Sequence, residues 1–262
     1  MTGGALETRM ARSIAPTASV SERATLGEDV IVGHGTIVYD NVVVGDGTVI
    51  GEFCVVGHPS TAANGPLRIG PMSLIRSHTV LYLGASLGPK LETGHHAVIR
   101  ENCRVGANLR IGSYSSLEGE VDVGDFVRIY GHSQIGRGTA LGDFVWLYSL
   151  VTCANDPLPP SNIEAPCRIG AGAVAALNAQ LLCCRIGEAA FVSAGALVHG
   201  EVPAGEIVRP DGSLGGPVSH LLHLESGTRH PWFRHLTGHY PPEAEEKLQA
   251  LRNLYLTSSG AR

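Results

Sequence analysis

Isoleucine, leucine or valine returns at every sixth residue for most of this chain. From Ile14 the positions Val20, Leu26, Val32, Val38, Val44, Ile50 and Val56 hold one phase. A second run goes from Ile69 through Ile75, Leu81, Leu87, Ile99, Val105, Ile111, Leu117, Val123, Ile129, Ile135 and Leu141 to Leu147, and only Thr93 breaks it. A helix has period 3.6 and an alternating strand period 2, so neither gives six. A coil with three short flat faces does, each hexapeptide forming one face and sending its aliphatic residue inward. Fixed-period self-similarity of this kind is the signature of a solenoid.

Four residues after each aliphatic stands something small or β-branched, as at Ala18, Ala24, Val30, Thr36, Val42, Thr48, Ser73, Thr79, Ala85, Ala97, Ser115 and Val121. That fits the tapering interior of a narrow triangular prism; Leu91 and Leu109 are the oversized exceptions. Glycine often follows the aliphatic, as at Gly27, Gly106, Gly112, Gly124 and Gly136, which we read as a demand for backbone angles open to glycine. The pattern resembles the hexapeptide-repeat, left-handed parallel β-helix family over residues 14–209. The fold class expected is all-β, a solenoid with a C-terminal extension containing one helix.

At 262 residues the length allows one large domain, and the repeat makes it one. Net charge −5 gives no electrostatic case for nucleic acid or an anionic membrane. No apolar run reaches the roughly 18 residues of a spanning helix, and the opening MTGGALETRMAR lacks the apolar segment of a secretory signal. The six cysteines make no zinc-like spacing and are expected reduced, in a cytoplasmic protein. Cys54 and Cys103 fall at the small inward position and act as small hydrophobes.

Residues 1–13 read as a flexible N-terminus. Breaks in the period mark where function is added to a monotonous scaffold. One is the polar insertion 58–66; another is the proline-rich segment 154–168; the third is Leu181 to Arg185, one residue short. Residues 210–262 read as a linker and helical tail. His220, His223, His230, His235 and His239 crowd this tail around Trp232 and Phe233, in spacings that fit no standard metal pattern. A helix is expected from Pro241-Pro242, with Glu243, Glu245 and Glu246 early and Leu248, Leu251, Leu254 and Tyr255 as its apolar stripe. The tail is expected to cap the open end of the coil, where unpaired edges invite aggregation.

Three hexapeptides per turn place residues 18 apart one above another, about 4.8 Å away. His78, His96, Tyr114 and His132 then form one outward column, and Arg100 stacks beneath Glu118 on the next face, with Glu101, Asn102 and Glu120 close by. The Asn155-Asp156-Pro157 loop leaves from that same face. An imidazole-rich groove beside a stiff loop is a candidate site, although outward positions must be polar and a chain with twelve histidines yields a column by chance as well. His96 is the preferred base, since it follows the Thr93 break, and His132 is second.

The stretch VTCANDPLPPS, with IGAGAVAALNAQ and IGEAAFVSAGALV after it, resembles the Asn-Asp-Pro loop and last coils of hexapeptide acyltransferases, specifically sugar N-acyltransferases acting on nucleotide-linked amino sugars. The resemblance implies a homotrimer with sites between subunits and acetyl-CoA as co-substrate, without a metal. In related maltose and galactoside O-acetyltransferases a catalytic histidine precedes the loop proline; here Asp156 does, after Asn155. An alcohol needs a general base to attack a thioester, whereas a neutral amine is a far better nucleophile, so this difference leans toward N-acylation.

The roles expected are catalytic for His96, His132, Asn155 and Asp156, and substrate-binding for His78, Arg100, Glu118 and Tyr130. Ala173, Ala176 and Ala194, with Arg185 and Arg209 for phosphates, are expected against the cofactor. O-acetylation of a sugar or small alcohol is the alternative, and a non-catalytic scaffold is an alternative of another class. A γ-type carbonic anhydrase shares the fold, but its His-x4-His pairing is absent from the repeat.

Overall fold

The computed structural model describes residues 12–222, 226–228 and 239–256. His223, His230, Trp232, Phe233 and His235 lie outside the described residues, as do the side chains of Leu254 and Tyr255. The chain winds a left-handed parallel β-helix of about eleven turns, followed by one short helix. Face 1 begins with Ser13–Ile14 and ends with Glu206–Val208; face 2 begins with Ser19–Val20, and face 3 with Thr25–Leu26. Most strands are two residues long, and registers such as Val80↔Val98 and Ser86↔Arg104 step by the expected 18. Inside, the sixth-residue aliphatics and the small residues between them form one continuous core, and Leu91 and Leu109 are fully buried within it.

The glycine reading needs correcting. The left-handed backbone angles fall two residues further on, mostly at non-glycine residues such as Phe53, His78, His96, Tyr114 and His132. Gly57, after Val56, has φ 86°, but Gly27, Gly106, Gly112, Gly124 and Gly136 lie outside that region, and space is what they answer to. A Cβ on Gly106 would stand 2.7 Å from the Gly124 carbonyl carbon, and one on Gly112 2.3 Å from the Gly131 nitrogen.

Thr93, the one break in the aliphatic row, has a specific cause. Each residue following an inward aliphatic normally donates its N–H to a backbone carbonyl in the next turn, as Gly88 does to Val105. Arg76 donates instead to the Thr93 hydroxyl (2.9 Å), and its guanidinium takes the Thr93 carbonyl (2.8 Å). That hydroxyl also meets the Thr79 hydroxyl at 3.1 Å. Thr93 is fully buried, so Thr93→Val strands the Arg76 N–H. The expected loss is about 1–3 kcal/mol, read as a lower urea midpoint.

All three interruptions fall on one edge of the prism, between faces 2 and 3. The first insertion leaves Val55–His58 and re-enters at Leu67–Ile69; the second leaves Thr152–Ala154 and re-enters at Arg168–Ile169. At the third, the missing residue lets Gln180–Ile186 run as one strand across both faces.

The tail only partly meets expectation. Leu214–Pro217 pairs antiparallel with Glu206–Val208 and covers the last rung of face 1. The helix, Glu245–Leu256 after a 3-10 turn at Pro242–Ala244, instead packs on the flank of the coil. Leu248 and Leu251 join Phe126, Phe144, Trp146 and Val174 in a second apolar cluster. Ion pairs from Lys90 to Glu243 and from Lys247 to Asp125 fix the tail's position.

Candidate active site

The edge between faces 1 and 2 carries a continuous ring ladder. Phe53, His78, His96, Tyr114 and His132 follow one another with centroids 5.3, 4.5, 4.9 and 5.0 Å apart. Each has φ between 54° and 63°, a region that costs a side-chain-bearing residue on the order of 1 kcal/mol. Near-parallel stacking returns a comparable ~0.5–1.5 kcal/mol per pair. All three histidines are exposed, and among the described residues their ring nitrogens make no hydrogen bond. A column held on a β-helix edge, with free nitrogens, can take or give protons without rearranging.

Face 2 carries the polar partners. The Arg100 guanidinium donates to both carboxylate oxygens of Glu101 (3.0 and 3.3 Å), stands 3.7 Å from Glu118, and lies over the Tyr82 ring at 5.8 Å. Glu101 is only 1 % exposed. These acidic groups hold Arg100 more firmly protonated than usual, the Glu101 hydrogen bond contributing most. Glu118 also accepts from Ser116 (2.6 Å).

The proline-rich loop stands on the opposite edge of face 2 from the ladder. Asp156 accepts from the Leu158 N–H, the Ser161 N–H and the Ser161 hydroxyl at 2.9, 2.8 and 2.6 Å. These bonds, led by the Ser161 hydroxyl, pull its carboxyl below the usual range. Asn155 receives the Ala165 N–H on its backbone carbonyl, closing the loop's base, and its carboxamide has no partner among the described residues. Because the folded carboxyl ionises below its unfolded value, the loop's bonding is complete above that value and is lost as pH falls through the depressed one. Asp156→Ala is expected to accelerate amide exchange at Leu158 and Ser161 at neutral pH while leaving the coil amides protected.

The residues expected at the cofactor divide. Ala173 faces the interior, 1 % exposed, so its side chain is closed to any ligand, which corrects that expectation. Ala176 and Ala194 continue the ladder's edge beyond His132 and Leu150, where Asn178 and Gly195 take the corner. Arg209 lies on that edge too, donating to the Leu214 carbonyl (2.6 Å). Arg185 stands on face 3, beside the loop's return, in a shallow trough with Arg168, Gly170 and Gly187. Tyr130 lies on face 1, away from Arg100 and Glu118, and stacks on Tyr148 at 4.6 Å.

Sequence reasoning passed over His95, whose Nδ1 meets the Ser77 hydroxyl at 2.8 Å on the face-1 side of the ladder. It also passed over Arg110 and Arg128. Their 18-residue offset was a usable signal. Among the described residues no group of three or more His, Cys, Asp or Glu side chains is placed to hold a metal. No helix there is long and apolar enough to cross a membrane. All six cysteines are free thiols.

Residues 23–58 match the family model described as bacterial transferase hexapeptide (six repeats). That match spans two turns of the coil. No curated protein matches the chain in sequence. Among solved structures it is similar to the Arabidopsis UDP-N-acetylglucosamine acyltransferase, with TM-score 0.56 and 18% identity over 94% of this chain and 93% of that one. At that identity the likeness shows the fold. The Francisella novicida UDP-N-acetylglucosamine acyltransferase matches at TM-score 0.32 and 18% identity, over 90% and 76% of the two chains. A point mutant of perosamine N-acetyltransferase from Caulobacter crescentus, in complex with CoA and GDP-perosamine, matches at TM-score 0.20 and 15% identity, over 79% and 57%. These two matches carry no structural argument.

Proposed function

We propose that the chain is an acyl-CoA-dependent acyltransferase that moves acetyl from acetyl-CoA to the amine of an amino sugar. The observation that carries this reading is the exposed imidazole column with unengaged ring nitrogens. The neutral amine attacks the thioester carbonyl directly; His96 or His132 takes its surplus proton and passes it to the departing sulfur as the C–S bond breaks, so that CoA leaves as the thiol. Backbone N–H groups stabilise the oxyanion. The Asn155 carboxamide orients the amine, and Asp156 holds the loop that presents it. His78, Arg100 and Glu118 bind sugar hydroxyls. Pantetheine lies along Ala176 and Ala194, and the phosphates meet Arg209 or Arg185.

Ladder and loop occupy opposite edges of face 2, which supports a homotrimer in which one subunit's loop meets the next subunit's ladder. The protein works in the cytoplasm, where acetyl-CoA is supplied. Screening amino sugars and their hydroxyl counterparts for thiol release from acetyl-CoA tests the reaction. Release with amines supports N-transfer, release with hydroxyl sugars alone moves the assignment to O-transfer, and release with neither overturns both.

A further inference from the structure

Face 1 carries a cavity of about 370 Å³ outside the ladder and the loop. Its long axis follows the column of residues directly after the inward aliphatics. Arg76 closes one end and Tyr130 the other, three rungs or about 14 Å away at the inter-strand spacing. Between them the column holds only Gly94 and Gly112, so the floor is bare backbone. Tyr148 stacks on one side of the Tyr130 ring. On the other side lie the two glycines, with no ring stacked over them among the described residues.

Three guanidinium groups line this cavity against a single carboxylate. Glu92 answers Arg76 at 2.7 Å and Arg110 at 3.1 Å. Arg128 has no carboxylate within salt-bridge distance among the described residues. It is 4 % exposed, donates to the Asn108 and Val127 carbonyls and the Asn108 side-chain oxygen, and lies under the Tyr240 ring at 4.7 Å. Burial lowers its pKa to about 10. Beside it the Trp146 indole, in a residue 8 % exposed, turns its N–H toward the Tyr130 hydroxyl.

Burying a charge without a counter-ion costs several times what an exposed pair returns. The repeat also gives up its aliphatic at Thr93 so that Arg76 can take the Thr93 carbonyl and reach Glu92. In a protein of net charge −5, three arginines and a single carboxylate thus meet at one concave place.

We propose that this cavity binds a small organic phosphate, its phosphate facing Arg110 and Arg128 and its flat organic part lying over Gly94 and Gly112 against Tyr130. Guanidinium forks match phosphate oxygens, and the bare floor admits a planar group that any side chain there would exclude. The inference stands on face 1 alone and does not depend on acyl transfer.

Calorimetry on the full chain tests it with phenyl phosphate, inorganic phosphate, phthalate and benzyl alcohol. Phenyl phosphate is expected to bind at one site per chain, inorganic phosphate more weakly, and phthalate and benzyl alcohol more weakly still. Arg128→Gln removes binding but risks the fold, so half-exposed Arg110 supplies the second variant. Arg110→Gln should weaken both phosphates by about tenfold or more, and Tyr130→Ala should weaken phenyl phosphate alone. Phosphate binding that survives Arg110→Gln lies elsewhere and overturns the proposal. So does equal binding of phthalate or benzyl alcohol, or no binding at millimolar ligand.

Discussion

Replacing His96 with alanine is expected to lower the acetyl-transfer rate by about 10²–10⁴-fold, the usual worth of a positioned proton acceptor. The loss should fall on kcat, with acetyl-CoA binding little changed, because the imidazole acts on the attacking amine and not on the cofactor. His96 sits mid-ladder between His78 and Tyr114, so its removal also opens a gap in the stack. His96→Phe keeps a stacking ring and removes the basic nitrogen. A comparable fall in kcat for both variants assigns the effect to proton transfer, whereas retention of activity by His96→Phe assigns it to ladder geometry. His132→Ala then decides which imidazole is the base, since His132 offers the same free nitrogens at the ladder's upper end.

The largest effect on stability is expected from Phe144→Ala, at about 3–5 kcal/mol. Phe144 is 2 % exposed. It stacks on Phe126 at 5.1 Å and meets the Tyr240 ring edge-on at 5.2 Å. This aromatic seam joins the coil to the C-terminal helix, whose Leu248 and Leu251 pack into the same cluster with Ala244 of the preceding 3-10 turn. Chemical unfolding should show a lower midpoint, and hydrogen exchange should show Glu245–Leu256 losing protection before the coil does. A fall in stability with the helix still protected would mean that Phe144 serves the coil alone. Its φ of 58° adds a control: Phe144→Gly relieves backbone strain while making the same cavity, so it should cost somewhat less than alanine.

The period of six fixes nearly every inward residue from Val20 to Val208, because a triangular coil repeats one local geometry and each position answers only to its neighbours above and below. The ladder and the Arg100–Glu118 pair were legible for the same reason, as multiples of 18. Thr93 was visible as a break, but its cause was not: a hydroxyl replacing a backbone acceptor so that Arg76 can turn is a matter of hydrogen-bond geometry. Glycine after the aliphatic was seen and its reason misread, since sequence does not distinguish a special angle from a close approach. The placement of Ala173 inside the coil follows from position, four residues after Ile169, and was open to the same counting that placed Ala97 and Ser115. The tail escaped because its contacts with Phe126, Phe144 and Trp146 are long-range and carry no period.

The face-1 cavity escaped for a related reason. Arg76, Arg110 and Arg128 occupy two different columns, and only folding sets them along one cavity with Glu92 as its single carboxylate. Their imbalance shows in distances, not in composition, since the chain as a whole is acidic.

The central claim is that this β-helix takes an acyl-CoA, and calorimetric titration of the purified full chain with acetyl-CoA, beside free CoA, tests it most directly. The account predicts micromolar binding at about one site per chain, weakened by Arg209→Ala or Arg185→Ala. No binding of either ligand at millimolar concentration would contradict it and leave the coil as a scaffold.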